Sequence, residues 1–370
     1  MRGPSVRPYV IAAGGTGGHF FPAEALAGEL LKRGLRVVLL TDARSGGVKS
    51  EIFANCERFV IRGAGIAGRG ALAGIRAGAA LALGTLQARR ILARLNPVAV
   101  VAFGGYPSVA PVLGASLLRA KPAIILHEQN AVLGRANRFL ARRADRLALS
   151  HAATRLVPLG VVTETTGNPV RPAVAALPGD YAVPVGHINL LVLGGSLGAR
   201  VFSDVVPDAL ALLPKISRDR IVVTQQCRVE DLDRVRVAYT ASGISATLAS
   251  FFADVAALLG QAHLIIARAG ASTVAEVAVA GRPSLLVPLP SAIDDHQTAN
   301  ARALEHVGAA WVLPQPDFTA AALAARLTAL LDDPAQLAAA ATAARSVARP
   351  DAAIRLADLV QQRVQLGTPA

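Results

Sequence analysis

Four polar clusters in this 370-residue chain have the composition of reaction sites rather than of solvated turns. The first, Gly14-Gly15-Thr16-Gly17-Gly18-His19, joins a glycine-rich turn to an imidazole. Glycines let the main chain approach a ligand closely, and a group that titrates near neutrality suits proton transfer. The second combines Gly104-Gly105-Tyr106-Pro107-Ser108 with His127-Glu128-Gln129-Asn130, where Glu128 is another candidate base. The third is Gly270-Ala271-Ser272-Thr273-Val274-Ala275-Glu276. Thr273 and Glu276 have the spacing of a capping box, which is a structural role. Alternatively, the two carboxylate oxygens of Glu276 accept both hydroxyls of a ribose while the helix start faces a diphosphate. The fourth is Asp294-Asp295-His296-Gln297-Thr298-Ala299-Asn300, where acid, amide and imidazole stand as the hydroxyls of a sugar would need them. No D-x-D beside an apolar strand end, H-E-x-x-H, Walker or G-x-S-x-G sequence occurs. The chain therefore implies no metal or other cofactor, and ATP hydrolysis has no support.

These clusters need elements to hold them. A glycine turn occurs twice, after Tyr9–Ala13 and again, as Gly194-Gly195-Ser196-Leu197-Gly198, after Ile188–Leu193. Short apolar runs that end in glycines suit buried strands of a parallel sheet. Further strands are expected at Arg36–Thr41, Val98–Phe103, Ala123–His127 and Arg146–Leu149. In the second half they are expected at Ile221–Gln225, Ala246–Ser250, Leu264–Ala267 and Ser284–Pro288. Helical stretches between them include Ala23–Arg33, Gln87–Leu95, Val255–Gln261 and Thr273–Ala280. Such alternation predicts an α/β fold of two Rossmann-like domains facing across a cleft, with ligands beyond the carboxyl ends of the strands. The expected domains are 1–170 and 171–348, with a last helix at about 350–366 returning to the first. A dinucleotide site is an alternative for the first turn. Asp42 favours it, but Phe20 occupies the place where that motif needs glycine or alanine.

The charge balance is 38 Lys+Arg against 25 Asp+Glu, which favours anionic partners. Aromatic residues make up only 4%, too few for nucleic-acid stacking platforms, so nucleic acid is not expected as a partner. Arg62, Arg69 and Arg76 recur every seven residues among Leu72, Ile75 and Leu83, a pattern that fits an anionic membrane surface or an ordinary packed helix. Cys56 and Cys227 form no metal or redox spacing, and Gly70–Leu86 is broken by Arg76 and glycines, which argues against a spanning helix.

Taken in order, GGTGGH, GGYPS, HEQNA, TGNPVR, GGSLGA, RAGAST-x-x-E and DDHQTANA resemble the MurG family of peptidoglycan N-acetylglucosaminyltransferases, almost end to end. The resemblance implies the glycosyltransferase B fold, UDP-GlcNAc as donor and lipid I, the undecaprenyl-diphosphate-linked MurNAc-pentapeptide, as acceptor. It also implies inversion at the anomeric carbon, peripheral attachment to the cytoplasmic face of the inner membrane, and cell-wall synthesis and division proteins as further partners. By motif, Thr16, Gly17, Gly18, Asn130 and the boundary residue Arg171 would contact the donor. So would Ser196, the segment Ala271, Ser272, Thr273, Val274, Ala275 and Glu276, and Gln297. Phe252 matches a position whose backbone meets the uracil. Gly15, Tyr106, His296 and Asn300 are carried over as acceptor-side or other polar contacts, although His296 stands where some members have glutamine. His19 is the first choice of base and Glu128 the second. Other readings remain open: a different UDP-sugar transferase or epimerase on the same scaffold, an NAD-dependent oxidoreductase, or a non-catalytic nucleotide-sugar or lipid-binding protein.

Overall fold

All the strands pair in parallel among the described residues, as strands that alternate with helices must. In the computed structural model these residues are 7–14, 17–43, 50–61, 71–195 and 198–367. They form two units, one of Met1–Arg171 with Asp351–Ala370 and one of Pro172–Pro350.

Unit 1 contains β1 (Tyr9–Ala12), β2 (Val37–Asp42), β3 (Glu57–Ile61), β4 (Ala99–Ala102), β5 (Ala123–Glu128), β6 (Arg146–Leu149) and β7 (Thr163–Thr165). Their order across the sheet is β3-β2-β1-β4-β5-β6-β7. Because side chains alternate across a strand, the apolar run of β1 feeds two cores: Tyr9 and Ile11 face one, Val10 and Ala12 the other. The first core also holds Leu356, Leu359 and Val360 of the helix Ala352–Gly367, so the end of the chain completes the unit that its beginning starts. On the other face the helix Ala71–Leu95 buries Thr85, Ala88 and Leu92. It lies so close to the helix Tyr106–Ser116 that a Cβ on Gly114 would stand 2.8 Å from the Arg89 nitrogen.

Unit 2 contains β8 (Ile188–Leu193), β9 (Ile221–Gln226), β10 (Ser245–Ala249), β11 (Leu264–Ala267), β12 (Ser284–Leu286) and β13 (Ala310–Val312). The order is β10-β9-β8-β11-β12-β13, and one core gathers Leu190, Val192, Phe202, Val223, Ile266 and Leu285.

Several expectations are corrected. β3, β7 and β13 lie outside the expected strands; each is a sheet edge and only partly buried, β3 and β7 carry charged or polar residues that break the apolar run of an interior strand, and β13 is only three residues long. The helix expected from Ala23 begins at Gly17, and the one expected from Gln87 begins at Ala71, because packing overrides the low helix propensity of glycine.

Candidate active site

In each unit the strand order reverses beside its opening strand, between β1 and β4 and again between β8 and β11. Crossover helices leave such neighbouring strands toward opposite faces, which opens a crevice beyond their carboxyl ends. All four strands at these two reversals run into glycine-containing turns: Gly14 after β1, Gly104 after β4, Gly194 after β8 and Gly270 after β11.

In unit 1 the turn after β1 enters the helix Gly17–Lys32, which places Gly17, Gly18 and His19 in its first turn. Gly15 and Thr16 lie outside the described residues. Gly104 and Gly105 both adopt left-handed conformations, φ 81° and 68°, which carry the main chain beneath the His19 ring. A Cβ on Gly105 would stand 3.4 Å from His19 Cδ2 and 3.5 Å from Nε2. The Ser108 hydroxyl is 2.7 Å from the Gly104 carbonyl oxygen and 3.3 Å from that of Ala12, which ties the two strand ends together. Tyr106 opens its helix with its side chain exposed.

The end of β5 supplies the polar interior. Glu128 is 2% exposed and its carboxylate accepts four hydrogen bonds. Oε1 takes the Asn130 backbone and side-chain nitrogens, both at 3.0 Å, and Oε2 takes Gly134 N and Asn137 Nδ2, both at 2.9 Å. Four donors fill the lone-pair sites of a carboxylate. Gln129, also buried, donates from Nε2 to the Phe103 carbonyl (2.9 Å) and lies 3.2 Å from His127 Nδ1. Its Oε1 is 3.2 Å from His19 Nδ1. His127 Nε2 is 3.0 Å from the Gly167 carbonyl, and complete burial lowers the His127 pKa to about 4. The Arg171 guanidinium lies 5.4 Å from the centre of the Phe21 ring.

In unit 2 the turn after β8 is tight enough to require glycine. A Cβ on Gly194 would fall 2.3 Å from Ala199 N. The Gly194 nitrogen donates to Gln226 Oε1 (3.1 Å), and Gln226 Nε2 donates to the Ser250 carbonyl (3.2 Å), just before half-buried Phe252. Ser196 lies outside the described residues. After β11 the helix Ala271–Ala280 has Gly270 as its N-cap, so the capping box expected from Thr273 and Glu276 does not form. Both residues sit inside the first two turns, with Glu276 only 7% exposed. A glycine cap brings no side chain to the first N–H groups, whose dipole end attracts an anion. Two residues support the start of this helix. The Asn300 amide donates to the Ala269 carbonyl (3.1 Å), and buried Arg268 donates to the carbonyls of Val287 (3.1 Å) and Pro288 (3.2 Å). Asp294 and Asp295 are left-handed in succession, φ 53° and 52°, a costly backbone that turns the chain into the helix His296–His306. Gln297 Oε1 accepts from Leu289 N (3.0 Å), and His296 Nδ1 donates to the Ile293 carbonyl (2.7 Å).

The structure thus gathers His19, the Gly104–Gly105 loop and the β5 end in unit 1, and Gly194, Ala271–Glu276 and Gln297 around the β8–β11 end of unit 2. Sequence reasoning passed over Gln129, His127 and Asn137. The first two were visible as a polar strand end, whereas nothing in the spacing of Asn137 marks it. Among the described residues no group of three or more His, Cys, Asp or Glu side chains could hold a metal ion.

In unit 1 the helix Ala71–Leu95 turns Ile75, Leu83 and Leu86 outward together with Arg76, Arg89 and Arg90. Arg62 and Arg69 lie outside the described residues. Among the described residues no helix is long and apolar enough to cross a membrane.

Comparison with known proteins matches residues 9–149 to the glycosyltransferase family 28 N-terminal domain and residues 189–356 to its C-terminal domain. A protein of Granulibacter bethesdensis named UDP-N-acetylglucosamine--N-acetylmuramyl-(pentapeptide) pyrophosphoryl-undecaprenol N-acetylglucosamine transferase is 60% identical over 98% of this chain and 95% of its own. One of the same name from Acidiphilium cryptum is 55% identical over 97% of this chain and 98% of its own. The crystal structure of Acinetobacter baumannii MurG aligns with a TM-score of 0.77 at 32% identity, covering 96% of this chain and 99% of that one.

Proposed function

The chain belongs to glycosyltransferase family 28, and from that membership we propose that it moves N-acetylglucosamine from UDP-GlcNAc to N-acetylmuramyl-(pentapeptide) pyrophosphoryl-undecaprenol, the reaction its relatives are named for. It is a hexosyltransferase. The observation that carries the site assignment is the repeated arrangement in which both strands at each sheet reversal end in glycine turns.

In this reading unit 2 holds the nucleotide. The Ala271–Ala280 helix start and the Gly194 turn meet the diphosphate, Glu276 accepts the ribose hydroxyls, and Gln297 with His296 meets the sugar. Phe252 offers its backbone to the uracil. Gly17, Gly18, Asn130 and Arg171 of unit 1 are assigned to the donor as well. In a single displacement the 4-hydroxyl of MurNAc attacks the anomeric carbon, its configuration inverts, and UDP leaves. The bond from sugar to acceptor oxygen forms as the bond to the diphosphate oxygen breaks. Charge then develops on the diphosphate, and preorganised backbone dipoles together with Arg171 stabilise it.

The hydroxyl proton passes to His19. We assign the base to His19 rather than Glu128 because the Glu128 carboxylate is buried with its acceptor sites filled. The reading puts the enzyme at the cytoplasmic face of the inner membrane, with the outward face of the Ala71–Leu95 helix against anionic lipid.

The test is transfer of labelled GlcNAc from UDP-GlcNAc to a lipid I analogue in the presence of EDTA. Product is expected, and its absence at saturating substrates would overturn the reading. His19→Ala should lower kcat by about 10²–10⁴-fold with UDP-GlcNAc affinity nearly unchanged, as measured by calorimetry. Near-normal turnover would remove His19 from its role.

A further inference from the structure

We propose that Gln129 is a positioning residue that fixes the tautomer of His19, so that Nδ1 carries the proton and Nε2 presents its lone pair to the acceptor hydroxyl. The inference rests on the assignment of His19 as base and adds a cause for its competence.

The two ends of the Gln129 amide are alike in shape but opposite in hydrogen bonding. The end 2.9 Å from the Phe103 carbonyl oxygen must be the nitrogen, because two carbonyl oxygens cannot bond to each other. Oε1 is therefore the atom 3.2 Å from His19 Nδ1. An amide oxygen only accepts, so the hydrogen of that bond sits on Nδ1. The other ring nitrogen, Nε2, is then an acceptor. It is the nitrogen that lies over Gly105, where a Cβ would stand 3.5 Å from it.

His127 holds the amide from behind. It is fully buried, and its Nε2 lies 3.0 Å from the Gly167 carbonyl, which can only accept. Nε2 thus carries the His127 proton, and Nδ1 is left to accept from Gln129 Nε2 at 3.2 Å. Burial keeps His127 neutral, so its Nδ1 lone pair persists across the working pH range; the charge of neighbouring Glu128 opposes this, that of His19 adds to it, and burial is the largest influence. The Phe103 ring, 5.3 Å from that of His127, closes the remaining side. Every bond in the chain from His19 through Gln129 and His127 to Gly167 has its direction fixed, and reversing any one would set donor against donor or acceptor against acceptor.

The arrangement has a chemical consequence. An imidazole free in water prefers its proton on Nε2, which would leave the lone pair on the nitrogen that faces away from the acceptor. A single amide oxygen reverses that preference without introducing a charge. Outer partners that orient a metal-bound histidine are typically worth about 10–100-fold in activity, and an effect of the same order is expected for an amide that orients His19.

The test combines kinetics with nitrogen NMR of protein labelled at histidine, in which the His19 signals are identified by their loss in His19→Ala. Wild type should show protonated Nδ1 and bare Nε2 at His19. Gln129→Leu should lose that pattern and lower kcat about 10–100-fold, with KM for UDP-GlcNAc changed less than about twofold. Gln129→Glu, whose protonated side chain keeps an accepting oxygen in place, should retain the pattern and more of the rate. The double variant His19→Ala, Gln129→Leu should be no slower than His19→Ala alone, because Gln129 acts only through His19. If Gln129→Leu turns over normally, or slows His19→Ala further by its own full factor, the positioning role is overturned while the base assignment stands. If His19→Ala itself is near normal, the base assignment falls and takes this inference with it.

Discussion

Replacing Glu128 by glutamine separates a structural carboxylate from a catalytic one. The change keeps size and shape but turns one carboxylate oxygen into an NH2 group. Each oxygen of Glu128 accepts two hydrogen bonds, so whichever one becomes nitrogen, two donors are left facing a donor. The site is 2% exposed, and water cannot make up the loss. Hydrogen bonds to a charged group contribute about 1.5–3 kcal/mol each, so losing two costs about 3–6 kcal/mol. At about 3 °C per kcal/mol for a unit of this size, its melting temperature should fall by about 10–20 °C. The assay can isolate unit 1, because Trp311, the only tryptophan, lies in β13 of unit 2. The loss should appear in circular dichroism well before Trp311 fluorescence changes, and kcat measured below the transition should stay within about tenfold of wild type, less than a general base is worth. A variant that melts within about 2 °C of wild type while kcat falls about 100-fold or more would make Glu128 the base and refute the reasoning.

Three further outcomes follow from particular contacts. Gly194→Ala forces a Cβ to within 2.3 Å of the Ala199 nitrogen, so the turn must open, and calorimetry should find UDP bound about 10–100-fold more weakly. His127 remains neutral in the fold down to about pH 4, whereas in the unfolded chain it gains a proton below about pH 6.5. Its contribution is therefore complete above pH 6.5 and is lost as pH falls toward 4, about 2 kcal/mol by pH 5. Urea unfolding of His127→Gln should show a pH 7 to pH 5 decline smaller by that amount, with His151, whose pKa burial also lowers, accounting for part of what remains. Reversing Arg76 and Arg90 to glutamate should weaken sedimentation with phosphatidylglycerol vesicles by about 30-fold or more, from about 1 kcal/mol per basic residue, and unchanged binding would remove this helix face from the membrane.

The interior of each sheet was legible in the sequence because both faces of a parallel strand demand apolar residues. Ile188–Leu193 and Leu264–Ala267 appear where the runs predict them, to the residue. Edge strands answer to less of that demand: Glu57–Ile61 and Thr163–Thr165 pair through their backbones, and although Phe59 and Ile61 reach the core, Glu57, Arg58, Val60, Thr163 and Glu164 are exposed. The glycine turns were readable because a glycine cluster closing an apolar strand marks a place where the backbone must turn sharply. Glu276 was readable as a polar residue near a helix start, but its capping role was not, since the choice between Gly270 and Thr273 as the first cap depends on how β11 ends. Asn137, and the role though not the presence of Gln129, were beyond reach for a different reason. Their importance lies in which atom of Glu128 or His19 each one faces, and three-dimensional proximity over 9 and 110 residues leaves no periodic mark.

The helix Ala352–Gly367 gives the molecule an order of assembly. Leu356, Leu359 and Val360 lie in the same core as Ile11 and Leu26, which stand at the opposite end of the chain. A ribosome making this protein produces all of unit 2 before it releases the last piece of unit 1, so the half begun first is finished last. Nascent chains arrested before Ala352 would expose an open apolar seam to chaperones and proteases, and only full-length product could close it.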